Sequence, residues 1–280
     1  MKLKFSCADF TFPLLPHEKV LALLNLLEIE AVDIGVFEER SHHWPSQIVP
    51  SPAKSAKRLK SQLEQRDLVA ADVFLQTGPE PPIAAVNDPD KAIRAKNRDI
   101  FKAITEYCCE LGCQHLTGLP GVIHQNTAAA RNWELAVEET RWRLEWARNC
   151  GAVYAVEAHV GSILPDPESA LKFLSAAPGL TLTLDYGHFA YQGMSDERVH
   201  PLLPHASHFH ARGGCKGMLQ ATMSDNCIDF DYIVKAFAEQ NYEGYFCLEY
   251  VWVDWEGCNR TDNISETLLL KSKLASVLKT

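Results

Sequence analysis

The 280 residues, 46% hydrophobic and 22% charged, supply apolar material for one large core at ordinary globular usage. A formal net charge of -9 argues against a surface built for nucleic acid, and no run of about eighteen uncharged apolar residues is there to cross a membrane. Met1-Lys2-Leu3-Lys4 leads into Phe5, Cys7 and Phe10 without the apolar core of a secretory leader, so a cytoplasmic chain folded as a single domain over residues 1–280 is expected. The cysteines, nine and so odd in number, lie mostly in apolar runs, and Cys108, Cys109 and Cys113 lack the C-x2-C spacing of a zinc site. They read as reduced core residues.

Along the chain one unit recurs: a short β-rich apolar run, a polar turn, then a longer segment of helical period. Leu3–Ala8 is the first expected strand, followed by Val20, Leu23, Leu24 and Leu27 at helical spacing, and Ala31–Phe37 is the second strand. The loop Glu38–Pro50 is long and polar; solvent exposure is the simpler account of its His42, His43 and Trp44, and covering of a site is the alternative. Lys54–Gln65 reads as a cationic helix, Leu68–Gln76 as a third strand with Asp72 at a bend or partly exposed position, and Ala92–Leu111 as a long helix closed by Gly112. Gln114–Gly121 is the fourth strand with its turn. Trp133, Ala136, Val137, Thr140, Leu144 and Ala147 share one face of the next helix, with Gly151 past its end.

The second half places polar residues at the strand ends. Val153–Val160 is the fifth strand, with Glu157 and His159 on one side by the period of two. Leu180–Asp185 is the sixth, alternating leucine with threonine and delivering Asp185 at its end, with His188 three residues on. His205–Arg212 is the seventh, with His208, His210 and Arg212 on one face; His208 reads as an internally bonded strand residue. Phe230–Gln240 is a helix, Gly244–Trp252 an eighth strand ending around Glu249, and Asp262–Leu278 the closing helix. Eight strands alternating with helices point to a (β/α)8 TIM barrel with right-handed crossovers and sites at the C-terminal strand ends. An open doubly wound sheet would carry a G-x-G-x-x-G turn after an early strand, and none follows any strand here.

In such a barrel Glu157, Asp185, His210 and Glu249 stand on four neighbouring strands and converge at the rim. Three buried carboxylates repel one another unless a cation intervenes. Oxygen and imidazole ligands without thiolate suit Mn²⁺, Mg²⁺ or Co²⁺, with Zn²⁺ also accommodated.

Taken in order, VEAHVGS, LDYGH, HFHARG and CLEY at successive strand ends resemble the xylose-isomerase-like superfamily of sugar isomerases and epimerases; VDIGVFE and LTGLPGV resemble its early strands, so the likeness spans nearly the whole chain. The resemblance implies Glu157, Asp185, His210 and Glu249 as ligands of a divalent metal ion, and His188 and Arg212 as contacts to substrate oxygens. His159 would touch substrate or support Glu157. Many relatives follow the strand-seven histidine with a basic residue and then an aspartate, whereas His210-Ala211-Arg212 is followed here by Gly213 and Gly214, so the acid is missing. The implied reaction is proton transfer through a metal-stabilised enediolate on a small sugar, polyol ketone or keto acid, with Glu157 and Glu249 as the acid–base pair. A dehydratase or lyase acting on the same intermediate is the alternative. An apurinic-endonuclease-like phosphodiesterase, which the acidic balance disfavours, and a barrel that binds sugar without catalysis rank lower. The expected partner is a small carbohydrate-like molecule; Trp252 and Trp255 fit either pocket lining or a contact within a homo-oligomer.

Overall fold

A computed structural model describes residues 2–278, and its strands close on themselves. In order they are β1 (Phe5–Ala8), β2 (Ala31–Phe37), β3 (Val69–Gln76), β4 (His115–Gly118), β5 (Val153–Val156), β6 (Thr181–Asp185), β7 (Ala206–Ala211) and β8 (Phe246–Leu248). Each pairs in parallel with the next and β8 pairs with β1, which makes the (β/α)8 TIM barrel expected from the alternation. Several strands are shorter than their apolar runs suggest: β1 begins at Phe5, β5 ends before Glu157, and β8 is confined to Phe246–Leu248. Glu157 and Glu249 therefore sit one residue beyond their strands, where a side chain can lean across the mouth.

The outer layer holds α1 (His17–Leu26), α2 (Pro45–Ile48), α3 (Pro52–Glu64), α4 (Lys91–Leu111), α5 (Ala129–Asn149), α6 (Pro167–Ala176), α7 (Gly187–Tyr191), α8 (Asp196–Val199), α9 (Phe230–Glu239) and α10 (Asn263–Val277). α4 and α5 are each followed closely by a left-handed glycine, Gly112 with φ 88° and Gly151 with φ 79°. Between β6 and β7 no long helix forms; α7, α8 and a 3₁₀ turn fill the crossover, so the regular alternation lapses there. The Glu38–Pro50 stretch is likewise not all loop, since Pro45 starts the single turn of α2. Outward strand residues and the inner faces of the helices form the main core; Phe209, for example, packs edge-on against Phe237 of α9, with ring centroids 5.4 Å apart. Of the cysteines, Cys109 is half-buried and Cys150 and Cys227 are exposed, so the core assignment fails for these three. Among the described residues no helix is long and apolar enough to cross a membrane.

The barrel interior is polar, for a traceable reason. The register shifts between Val32/Asp33 and again between Leu182/Thr183, skipping Ala71 on β3 and Ser207 on β7. The first shift brings Asp72, expected at a partly exposed position, fully inside, where its Oδ1 lies 2.7 Å from His115 Nδ1. The second lets Ser207 and His208 both face inward: Ser207 Oγ lies 2.7 Å from His115 Nε2, and His208 Nε2 lies 2.6 Å from Asp33 Oδ2. Thr117 and Thr183 bond across the middle of the barrel at 2.6 Å.

Candidate active site

Above this polar column the last four strands deliver the expected side chains to one volume. Ligand atoms of Glu157, Asp185, His210 and Glu249 all lie within 4.8 Å of one another, and all four residues are buried. His210 stands between the glutamates, its Nδ1 2.8 Å from Glu157 Oε1 and 3.3 Å from Glu249 Oε2. Arg212, two residues along β7's direction and so on the same side, places Nη2 in contact with Asp185 Oδ2 and 4.0 Å from Glu249 Oε2. The other Asp185 oxygen accepts the Gly187 N–H at 2.8 Å, which fixes the carboxylate at the start of α7.

α7 also brings His188 back onto Asp185, Nε2 to Oδ2 3.4 Å, while the Val160 N–H points at His188 Nδ1 from 3.4 Å. Beyond the end of β5, His159 makes no hydrogen bond to Glu157. Its Nδ1 lies 2.8 Å from the Val160 carbonyl, so the ring donates there and presents an Nε2 without a hydrogen-bond partner among the described residues, its ring centroid 5.8 Å from that of His188. That geometry suits contact with a ligand better than support of Glu157. Trp255 reaches over the site, its ring 6.0 Å from that of His188, and nearly half of it is exposed. On the opposite flank Phe10, Phe37 and Phe74 build an apolar wall, with Phe74 5.7 Å from the His210 ring.

The charges are strongly perturbed. Burial, reinforced by Glu249 and Asp185, pushes the Glu157 carboxyl up to about 7 despite its bond to His210. Burial works against the charge of Glu249 too, but His210 and Arg212 outweigh it and hold Glu249 below its ordinary value. The Asp185 carboxyl is raised, again chiefly by burial and in spite of Arg212. For His210, Glu249, Asp33 and Glu157 together overcome burial and hold the imidazole protonated well above its usual range. His188 moves the other way: burial and the Arg212 guanidinium keep it neutral.

A divalent ion fits this donor set. When all three carboxylates are ionised they outnumber the Arg212 guanidinium by two negative charges, a deficit that a divalent ion would fill with His210 neutral. Glu249 Oε2 is buried and has no hydrogen-bond partner among the described residues. Oxygen-rich ligands with one imidazole match Mg²⁺ or Mn²⁺.

Asp33 was not among the candidates from sequence, although a carboxylate inside the apolar run AVDIGVF was a visible signal. It is fully buried beneath the site, bonded to His208 and 3.7 Å from His210 Nε2. The missing strand-seven acid also has a physical explanation. A Cβ on Gly213 would lie 2.6 Å from the Ala221 carbonyl oxygen and 2.9 Å from Tyr250 Oη, so backbone and tyrosine already occupy the space of a side chain.

A family model described as xylose isomerase-like TIM barrel matches residues 26–272. The chain belongs to that family. Among solved structures, a D-tagatose 3-epimerase-like protein is similar at 17% identity and a TM-score of 0.76, covering 99% of each chain. D-psicose 3-epimerase from Clostridium cellulolyticum H10, crystallised with D-tagatose, is similar at 14% identity and a TM-score of 0.72, over 99% of this chain and 97% of that one. A xylose isomerase-like TIM barrel protein from Mycobacterium smegmatis in complex with magnesium is similar at 13% identity and a TM-score of 0.71, over 93% and 87%. At these identities the likeness establishes the xylose isomerase-like fold. No curated protein matches the chain.

Proposed function

We propose that the protein is a divalent-metal-dependent epimerase or isomerase of a small ketose, acting by proton transfer at the carbon beside the carbonyl. The observation that carries this reading is the pair Glu157 and Glu249, two buried glutamates that reach His210 Nδ1 at 2.8 and 3.3 Å from the strand ends flanking those of Asp185 and His210. A carboxylate can accept the proton and a carboxylic acid can return it, so the pair works with one glutamate ionised and the other protonated. Glu249 takes a proton from one face of the carbon and Glu157 returns one to the other. Arg212 and the neutral His188 bind substrate oxygens, and His159 offers its bare Nε2 as an acceptor to a substrate hydroxyl. Glu157, Asp185, His210 and Glu249 would hold the ion, which when bound would supply positive charge to polarise the carbonyl. The fold shared with a D-psicose 3-epimerase and a D-tagatose 3-epimerase-like protein supports this substrate class. An ordinary cytoplasmic enzyme composed of one domain accords with the composition.

Ketohexoses including D-tagatose, D-psicose and D-fructose, incubated with the Mg²⁺- or Mn²⁺-loaded protein in heavy water, are expected to gain deuterium at the carbon beside the carbonyl and to yield the epimer. Conversion to a dehydrated product would transfer the assignment to a lyase. Metal-loaded protein that exchanges no hydrogen in any ketose or keto acid would refute proton transfer altogether.

A further inference from the structure

A second set of ligand-type side chains lies on the β1–β2 side of the rim and shares no residue with the group around His210. Asp9 opens the 3₁₀ turn that follows β1, His17 is the first residue of α1, and His43 lies beyond β2, bridged to Val36. One ligand atom from each comes within 4.8 Å of the others. Asp9 Oδ2 is 3.1 Å from His17 Nε2. Two ligands on a tetrahedral ion, with bonds of roughly 2.0–2.1 Å, stand roughly 3.3 Å apart, so this pair already has the required separation. The His43 ring stands edge-on to His17 with centroids 4.5 Å apart, and its buried Nε2 has no hydrogen-bond partner among the described residues. The ring of His42, 5.1 Å from that of His17, also has a buried, unpartnered Nε2.

These groups are held in place before any ligand arrives. Asp9 is fully buried, and its second oxygen accepts the Gly35 N–H at 3.0 Å, as the outer partner of a metal-binding carboxylate does. The Ser41 hydroxyl lies 2.8 Å from both the Gly35 and His43 carbonyl oxygens, and Trp44 Nε1 donates to the Ser41 carbonyl at 2.8 Å, which pins the segment carrying His43.

We propose that Asp9, His17 and His43 form a binding site for one transition-metal ion of the Zn²⁺ type, separate from the carboxylate-rich group. Two imidazoles and one carboxylate favour a borderline ion, whereas three carboxylates and one imidazole favour Mg²⁺ or Mn²⁺. An ion here ties the ends of β1 and β2 to the start of α1. Phe10 follows Asp9 directly and packs on Phe37 and Phe74, so the ion sits behind the aromatic wall that faces His210.

The test uses full-length protein in which Asp185→Asn and His210→Ala disable the first group, loaded with Zn²⁺ and dialysed. Elemental analysis is expected to find about one zinc per chain, and X-ray absorption to show a nitrogen and oxygen shell with two imidazoles. Adding His43→Ala should weaken zinc binding by about 10-fold or more in competition with a chromophoric chelator, with circular dichroism unchanged. No retained zinc, a shell with fewer than two imidazoles, or equal affinity after His43→Ala would overturn the proposal. Should the double variant not fold, zinc absorption spectra of wild type and His43→Ala are compared directly: loss of one zinc and of imidazole scattering supports the site, and identical spectra reject it. None of these readouts depends on ketose epimerisation.

Discussion

Two buried charge clusters in this barrel are built on opposite terms. Between α4 and α5, the Glu139 carboxylate receives Arg98 at 3.0 and 2.9 Å and Arg143 at 2.9 Å, with Arg94 at 3.4 Å. Both oxygens are engaged, the surplus positive charge reaches backbone carbonyls through Arg94 and Arg143, and Arg98 remains partly open to water. At the mouth, three carboxylates face one guanidinium, all of them buried, and Glu249 Oε2 has His210 Nδ1 at 3.3 Å but no hydrogen bond among the described residues. A cluster that completes itself holds helices together; one that stays deficient in positive charge is left for a cation and a substrate.

Substitutions should separate the two kinds of cluster, the largest effect coming from the mouth. Glu157→Gln and Glu249→Gln are each expected to lower kcat on a confirmed ketose by ~10²–10⁴-fold while the thermal melt of the metal-loaded protein moves little. Variants that bind metal and turn over at the wild-type rate would show that neither glutamate moves a proton. Glu139→Ala reverses the pattern: removing the carboxylate leaves Arg143 buried without its partner and should cost about 3–5 kcal/mol in denaturant unfolding, with kcat of the folded fraction unchanged. A loss of kcat with intact stability would place Glu139 in the catalytic machinery instead.

The metal-free protein offers a third distinction. Glu157 is raised from 4.5 to about 7 in the folded state, so between these values the folded chain binds more protons at this site than the unfolded one. The stability linked to it is full below about 4.5 and is lost as pH rises through about 7. In the presence of a chelator, the melting temperature of Glu157→Gln relative to wild type should therefore climb over that window. A difference flat in pH would mean that Glu157 titrates normally. The smallest effect is expected from Arg212→Ala, which should raise KM by about 10-fold, the scale of one charge-assisted contact, with metal content intact. Loss of the ion from that variant would make Arg212 part of the metal's support.

Strand order and the rim residues were legible because each strand repeats a local pattern that ends in a polar residue. LTLTLD on β6 shows this most plainly: alternation and terminus are both written within six residues. Asp72 and Ser207 were misjudged or overlooked because a register shift is a property of two strands, invisible in either alone. Asp33 went unnoticed because its partner His208 lies 175 residues away. The start of α6 is written in the sequence as the capping box of Asp166 and Ser169, a local signal that lies outside the strand and helix periodicities. Of the rim cluster Asp9, His17 and His43, only His43 drew notice, since the three come from different segments and share no spacing motif.

The pairing of Asp33 with His208 also bears on how the chain reaches its native state. β2 and β7 lie near opposite ends of the sequence, so this buried carboxylate gains its partner only when the circle of strands is closed. A fragment ending after β4 keeps Asp72 with His115 but strands Asp33 in a low-dielectric interior, a penalty that a purely aliphatic barrel would not impose. Half-barrels of this protein should therefore be poor folding intermediates. Refolding should be slow, dominated by non-local closure, with His208 and the first strands gaining protection from hydrogen exchange together.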